Sequence, residues 1–269
     1  MELFGLSEPV VRFIAFGVIF TSMALFELLN PRLERSELVG AIKARRWFTN
    51  LSMVVISSVA LRVIFPLAAV GTALWVNDRD YGLFNYLQTP AWIAGIIAFV
   101  VLDFAVWLEH VASHKFHILW RIHRMHHSDP GFDVTTALRF HPLEIVLSMF
   151  WKALIILALG PPAVAVLLFE IVLNGTAMFN HSNAKIPAGI DRLLRLVLVT
   201  PDMHRVHHSS DSRETDTNYG FNFPFWDRIF RTYWAQPRLG HQGMEIGLKD
   251  YRDGSPVKLG WSLLLPFRK

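Results

Sequence analysis

The sequence predicts an all-α, polytopic membrane protein with about three spans, a helical hairpin and a histidine-rich cytoplasmic cap. First, 52% of its 269 residues are hydrophobic and only 18% are charged, against about 25% charged residues in soluble domains. Second, its apolar runs are too long for strands and do not alternate with period two. Third, 12 histidines and no cysteine exclude disulfide scaffolds, thiolate metal sites and a cysteine nucleophile.

Three apolar runs approach or exceed the roughly 20 residues that a membrane helix needs. They are Val10 to Leu29, Phe48 to Val76, and Ala91 to Leu108. We therefore assign residues 10–108 to transmembrane helices within a single integral membrane domain, 1–269. The first run lacks a basic n-region and a small-residue cleavage site, so we expect a retained span and not a signal peptide.

A fourth apolar region, Ile145 to Phe179, is interrupted by Gly160, Pro161 and Pro162. These residues divide it into halves of about 15 and 17 residues, each marginal for a full crossing. We interpret residues 145–179 as a helical hairpin that returns the chain to the side it entered. The charged residues within apolar stretches are expected to face the bundle interior or to snorkel, with no role assigned; they are Arg62, Lys152 and Glu170.

Basic residues of the short loops predict the orientation. The loop after the first span carries five of them: Arg32, Arg35, Lys43, Arg45 and Arg46. The loop after the second span has only Arg79, beside Asp78 and Asp80. The first loop is therefore expected in the cytoplasm, together with the segments that follow the third span and the hairpin. The net charge of +4 is explained by this inner-face bias and does not indicate nucleic-acid binding.

The histidines occur in three clusters with helical spacing. The first is an HxxxH pair and the other two are HxxHH triplets, so that each cluster projects its imidazoles from one helix face. The members are His110 and His114, then His123, His126 and His127, then His204, His207 and His208. Eight imidazoles exceed the four ligands that one zinc ion usually takes. The pattern therefore predicts two metal ions.

Two familiar metal motifs do not fit. In HExxH proteases a glutamate follows the first histidine, whereas Val111 follows His110 and Glu109 precedes it. Carboxylate-bridged di-iron bundles use ExxH pairs, which this sequence lacks. Imidazole suits iron, zinc, copper and nickel, so the ligands leave the metal open. Iron is favoured by the chemistry that a lipid substrate requires. Unactivated C–H bonds of lipid chains are attacked by an oxidant made from dioxygen at iron.

The segment from Asp103 to Gly247 resembles the fatty acid hydroxylase and sterol desaturase superfamily, through LWRIHRMHHSDP, TTALRFHPLE, NHSN and TPDMHRVHHSSDSRETDTNYGFNFPFWDRIFRTYW. The resemblance implies a catalytic region over 103–247 with a non-haem di-iron centre, O2 as co-substrate and an external electron donor. It assigns the three clusters as ligands and adds His181 as a ninth. Two positions depart from the family pattern: Val111, where arginine is common, and Arg231, where glycine is usual.

Histidine ligands need an acceptor for the second ring nitrogen, which suggests outer partners of the metal ligands. The candidates are His141, which occupies a recurrent family position, Asp103, two turns before His110, and Asp202, Asn218 and Asp227, which flank the third cluster. His117 and His241 match no family position and are expected to be interfacial residues on connectors. Asp129 before Pro130 is expected to start a turn.

The favoured function is hydroxylation, or secondly desaturation, of a C–H bond in a lipid, fatty acyl or sterol-like substrate that enters from the bilayer. No haem-binding or flavin-binding module is recognisable, so a separate protein is expected to supply electrons. The alternative is a zinc-dependent membrane hydrolase or lyase that activates water at the same histidines, and a third possibility is metal storage. The bacterial inner membrane is the expected location.

Overall fold

The computed structural model describes residues 1–3 and 5–268, and this part of the chain is nearly all helical. A short antiparallel hairpin, β1 (Glu2–Leu3) and β2 (Leu6–Ser7), precedes the first helix. The larger helices are α1 (Glu8–Leu29), α2 (Gly40–Ile64), α3 (Ala68–Asn77), α5 (Ala91–Lys115), α6 (His117–His127), α7 (Pro142–Leu159) and α8 (Ala163–Asn180), with α4 (Leu83–Tyr86) as a single turn. The predicted all-α polytopic membrane fold is confirmed.

The remaining segments are short helices that cover one end of this bundle. They are α9 (Ala188–Leu194), α10 (Pro201–His207), α11 (Ser212–Thr215), α12 (Phe225–Ile229), α13 (Gly240–Gly243) and α14 (Leu259–Leu264), with 3-10 turns at Ser36–Leu38, Val134–Leu138, Ser255–Val257 and Leu265–Phe267. The last segment of the chain packs against α2 and α6.

Within the described residues, five stretches are long and apolar enough to cross a membrane: Glu8–Leu29, Gly40–Asn77, Ala91–Lys115, Pro142–Leu159 and Ala163–Asn180. The predicted hairpin is therefore two helices of 18 residues each, about 27 Å long at 1.5 Å per residue and close to the roughly 30 Å hydrocarbon core. Gly160 makes the turn with a left-handed φ of 66°. A Cβ there would lie 2.4 Å from the Tyr81 carbonyl oxygen, so the turn requires glycine.

The predicted run 48–76 differs in detail, because it is two helices and not one. The structure begins α2 earlier, at Gly40, and ends it at Ile64. Pro66 has no N–H to continue the helix and disfavours helical geometry at the preceding Phe65. The short helix α3 then turns inward and packs against α7 and α8.

The bundle core lies where α3, α5, α7 and α8 meet. Its fully buried side chains include Ala69, Leu102, Ile156, Val166 and Phe169. At the histidine-rich end, α1 and α8 finish side by side. The backbone N–H of Arg32 donates to the Asn183 carbonyl at 2.8 Å, and that of Lys185 donates to the Asn30 carbonyl at 2.7 Å. The chain that follows α8, beginning with His181, is thereby held against the end of α1.

Candidate metal centre

All three histidine clusters lie at one end of the bundle, on three different elements. His110 and His114 occupy the last two turns of α5. The extended Phe116 breaks the helix there, and α6 turns back with the second cluster in its last turns. The short helix α10 supplies the third cluster; it begins at Pro201, where the Thr200 side chain accepts a hydrogen bond from the Met203 N–H. Each spacing thus places its imidazoles on one inward face.

The structure brings the nine predicted ligands together in two groups, within each of which one potential ligand atom per residue lies within 4.8 Å of the others. The five-histidine group contains His110, His114, His123, His127 and His207, and the four-histidine group contains His126, His181, His204 and His208. Both triplets are divided between the groups. In each triplet, the i and i+4 imidazoles join one group and the i+3 imidazole joins the other.

Ring nitrogens converge closely within the four-histidine group. The Nε2 atom of His181 lies 3.2 Å from that of His126, 3.1 Å from that of His204 and 3.2 Å from that of His208. Two nitrogens bound at about 2.0–2.1 Å to one metal ion lie roughly 3.0–3.4 Å apart. The spacing therefore suits a shared ion.

The five-histidine group also suits a metal ion, because several of its ring nitrogens lack hydrogen-bond partners. Among the described residues, the buried Nε2 atoms of His110, His114 and His207 have no hydrogen-bond partner. Leaving a buried polar atom unpaired costs about 1–3 kcal/mol, so three in one place indicate a missing ligand. His123 and His127 approach each other at 3.1 Å through Nε2.

The opposite ring nitrogens identify the tautomers. Nδ1 of His110 contacts the Tyr219 carbonyl, Nδ1 of His181 the Ala177 carbonyl and Nδ1 of His207 the Thr217 carbonyl, each at 2.7 Å. A carbonyl only accepts hydrogen bonds, so each Nδ1 carries the proton and donates it. The Nε2 lone pair of each ring is then free to bind a metal ion.

Burial keeps the imidazoles neutral, as metal binding requires. Removal from water, reinforced by neighbouring imidazoles, lowers the pKa of the buried triplet histidines well below the ordinary value; these are His126, His127, His204, His207 and His208. Burial likewise lowers the pKa of His181 to about 4. At neutral pH these rings are uncharged, with a proton on one ring nitrogen only.

Two carboxylates that were not predicted from the sequence contact histidines of the five-histidine group. Glu144 accepts a 2.6 Å hydrogen bond from Nδ1 of His123, and Asp216 lies 3.3 Å from Nδ1 of His114. Glu144 lies in the first turn of α7 and within the TTALRFHPLE segment. Its position shortly after His141 and Pro142 is the sequence feature that could have identified it.

Among the described residues, none of the five predicted outer partners bonds an imidazole of the two groups. Asp103 accepts from Trp226 Nε1 at 2.7 Å, and His141 caps α7 by accepting from the Leu143 N–H at 3.1 Å. Asp202 instead pairs with Arg32 and Arg205. At His110 and His207 the second ring nitrogen instead meets a backbone carbonyl.

Asn218 and Asp227 act through the backbone of the loop after the third cluster. The Asn218 amide donates to the Met203 carbonyl at 2.9 Å. Asp227 accepts from Trp107 Nε1 at 3.1 Å and from the N–H groups of Tyr219 and Gly220, both at 2.9 Å. These bonds hold the loop whose carbonyl orients His110.

Of the two histidines outside the predicted set, His117 is exposed at the start of α6, whereas His241 is buried beside Asp202. Asp129 does more than start a turn, because Arg46 pairs with both of its oxygens at 2.6 and 2.9 Å and both side chains are fully buried. Burial alone would raise the pKa of Asp129, but the Arg46 charge lowers it to about 2. The pair fixes the chain just after His127 against α2.

The five-histidine group borders a cavity of about 540 Å³, within the usual range for ligand sites, whose lining includes His110 and His123 and also Arg12, Lys152 and Glu170. Phe140 stacks on His126 with ring centroids 4.3 Å apart, and Phe221 lies 4.9 Å from His110. Both phenylalanine rings line the cavity beside these imidazoles.

Comparison with known proteins agrees with this geometry. The fatty acid hydroxylase family model matches residues 95–232, just over half of the chain, and includes all nine histidines of the two groups. The chain belongs to the fatty acid hydroxylase family. It is 26% identical over 229 residues to the ornithine lipid hydroxylase OlsE of Rhizobium tropici, a match covering 83% of this chain and 68% of that protein.

Alkylglycerol monooxygenases are also similar. The human protein is 32% identical over 168 residues, covering 61% of this chain and 35% of that protein. The zebrafish (Danio rerio) protein is 29% identical over 196 residues, covering 71% and 41%. The chain thus spans less than half the length of these monooxygenases. No solved structure matches the chain.

Proposed function

We propose that this protein is a membrane oxidoreductase that holds two iron ions, reduces O2 with electrons from a separate donor protein, and hydroxylates a C–H bond of a lipid. The observation that carries the proposal is the division of nine histidines into two converging groups, one of which borders a large cavity. Family membership and similarity to an ornithine lipid hydroxylase and to alkylglycerol monooxygenases support it.

The ligand sets favour iron over zinc. A structural zinc ion takes four ligands and a catalytic one keeps three protein ligands, whereas one group here offers five imidazoles. Iron accepts a larger, all-nitrogen set and changes oxidation state. Two ferrous ions bound there would supply electrons to O2 and so generate the oxidant for the C–H bond.

The protein's own residues orient the ligands and exclude water. The carbonyls of Tyr219 and Thr217 and the carboxylate of Glu144 fix Nε2 of His110, His207 and His123 toward the centre. Packing of Phe140 against His126 limits access of water to the reacting groups. The cavity positions the hydrocarbon of the substrate beside His110 and His123.

We place the metal centre at the cytoplasmic face of a bacterial inner membrane. One support is the set of basic residues between the first two spans: Arg32, Arg35, Lys43, Arg45 and Arg46. The other is that the chain after α1 is hydrogen-bonded to the chain after α8, which begins with His181. An electron donor in the cytoplasm would reach the centre there.

Isotopic labelling tests the reaction. Purified, iron-loaded protein in nanodiscs is supplied with a chemical reductant, 18O2 and a bacterial lipid extract, and the lipids are analysed by mass spectrometry. Hydroxylation predicts one 18O atom in a lipid product. Loss of two hydrogens without label would identify a desaturase. Lipid cleavage without O2 consumption would contradict the proposal and favour the zinc hydrolase.

A further inference from the structure

The loop after the third histidine cluster runs alongside α5 and does not stay at the end of the bundle. The ring centroid of Phe223 lies 6.0 Å from that of Phe99, and Trp226 donates from Nε1 to Asp103 at 2.7 Å. Phe99 lies in the middle of the apolar run Ala91 to Leu108, about 14 Å before its end at 1.5 Å per residue. The Phe223 ring therefore reaches the level of the middle of this span.

The same loop is also attached to α8 within its apolar length. The Thr176 hydroxyl donates to the Asn222 side chain, and Phe221 packs against the hydrophobic core of the bundle. Thr176 lies about one turn before the end of α8 at Asn180. Two membrane-spanning helices, α5 and α8, thus hold the loop in place.

Part of the backbone in this loop is satisfied by protein groups, as irregular backbone at membrane depth requires. The Asp227 carboxylate accepts from the N–H groups of Tyr219 and Gly220, both at 2.9 Å. The Asn180 amide donates to the Phe221 carbonyl at 3.1 Å. These bonds take the place of water, so a segment without regular structure is able to lie among lipid chains.

Next to this loop, the protein surface is apolar and exposed. Arg228 Nη2 donates to the Arg195 carbonyl at 2.6 Å and so joins α12 to the segment after α9. We call the exposed apolar side chains of these two segments the apolar patch: Leu196, Val197, Ile229 and Phe230. The Phe230 ring stacks on Trp107 of α5 with centroids 4.7 Å apart. The patch is therefore continuous with the surface of a membrane-spanning helix.

We propose that residues 219–230 form a re-entrant segment in the membrane leaflet beside the candidate metal centre, and that the apolar patch contacts lipid acyl chains. The depth of Phe223 favours lipid over a water-soluble partner protein, because such a partner does not reach the middle of a span. Two exposed arginines, Arg192 and Arg231, flank the patch in sequence, and their long stems allow the charges to reach anionic headgroups. The inference rests on the membrane position of α5 and not on the proposed reaction.

This segment also positions a predicted metal ligand. The Tyr219 carbonyl accepts from Nδ1 of His110 at 2.7 Å. Phe221 lies 4.9 Å from the His110 ring, between centroids, and lines the cavity. One side of the candidate metal centre is thus built from protein that lies in the lipid, which brings the centre close to acyl chains.

Site-specific fluorescence quenching tests this placement. The chain has no cysteine, so each single-cysteine variant carries one bimane label on the full-length, iron-loaded protein in nanodiscs. Ile229→Cys and Leu196→Cys report on the patch; both side chains are exposed, so their substitution is expected to leave folding intact, which the iron content verifies. Ile96→Cys, exposed within the apolar run of α5, is the control for lipid contact. Arg213→Cys, exposed on α11, is the control for water.

Lipids brominated on their acyl chains should quench the labels at positions 229 and 196 as strongly as the label at position 96. Aqueous iodide should quench them at least about tenfold less than the label at position 213, because hydrocarbon excludes a charged ion. Iodide quenching equal to that at position 213 overturns the inference. Protection from both quenchers overturns it too, since protein, such as a second copy of the chain, would then cover the patch.

Discussion

The charged cluster around Glu170 and the histidine groups are both buried polar constellations, but they are satisfied in opposite ways. Glu170 is neutralised by Lys152 and Arg12 through direct ion pairs. The histidines have their outer nitrogens bonded to protein, as at His110 and His207, while the inner nitrogens meet only one another or nothing. A closed network stabilises a fold, whereas a set of inward lone pairs is arranged for a ligand that the polypeptide does not provide.

The largest effect is expected from removing a histidine of the four-histidine group. His126→Ala is expected to lower iron by about one ion per chain, since four ligands are typical of a tightly held ion, and to abolish lipid oxidation. Iron is measured by plasma emission spectrometry. His117→Ala is the control, because His117 is exposed and belongs to neither group. Full iron and full activity in His126→Ala would remove that histidine from the centre.

Removing one partner of the buried Arg46–Asp129 ion pair should mainly lower the stability of the fold. Arg46→Ala leaves Asp129 buried without its partner, and breaking such a pair costs about 3–5 kcal/mol. A large fall in the melting temperature of the iron-free protein is expected, read from tryptophan fluorescence in detergent. The neighbouring exposed Arg45→Ala should change it little. Similar melting temperatures for both variants would show that the Arg46 pair does not hold the fold.

Glu144 lies between the two cases, since it is a protein partner of a metal-facing histidine. Glu144→Gln retains the shape but removes the charge that accepts from His123, so iron affinity should fall by about 10–100-fold with little change in folding. Competition with a chelator measures this affinity. Glu34→Gln, an exposed carboxylate, is the control. Unaltered affinity in Glu144→Gln would mean that the Glu144–His123 contact does not orient the ligand.

The smallest expected effect concerns Arg231, outside both constellations. Its φ of 60° lies in the left-handed region, which costs a non-glycine residue about 1–2 kcal/mol. Arg231→Gly should therefore raise the melting temperature slightly, and the β-branched Arg231→Val should lower it. The reverse order would show that the Arg231 side chain stabilises the loop by more than the strain.

The sequence predicted the helical membrane fold, the hairpin and the three histidine clusters, because apolar length and helical spacing are local properties. His181 was assigned only through the resemblance to the family. The sequence did not predict the break at Pro66 within an apolar run. It also missed how the second ring nitrogens are satisfied: Asp103 was expected to serve His110, but the Tyr219 carbonyl does. Backbone carbonyls carry no residue-type signal, and the paths of the loops that present them depend on tertiary packing.

The central claim is that two separate histidine groups each hold one iron ion. Mössbauer spectroscopy of 57Fe-reconstituted, anaerobically prepared protein tests it most directly, with His126→Ala and His114→Ala as variants of the two groups. We expect two ferrous signals of equal area in wild type, with a different one diminished in each variant. One iron signal that responds equally to both substitutions, or 57Fe uptake that is unaffected by either, would contradict the account.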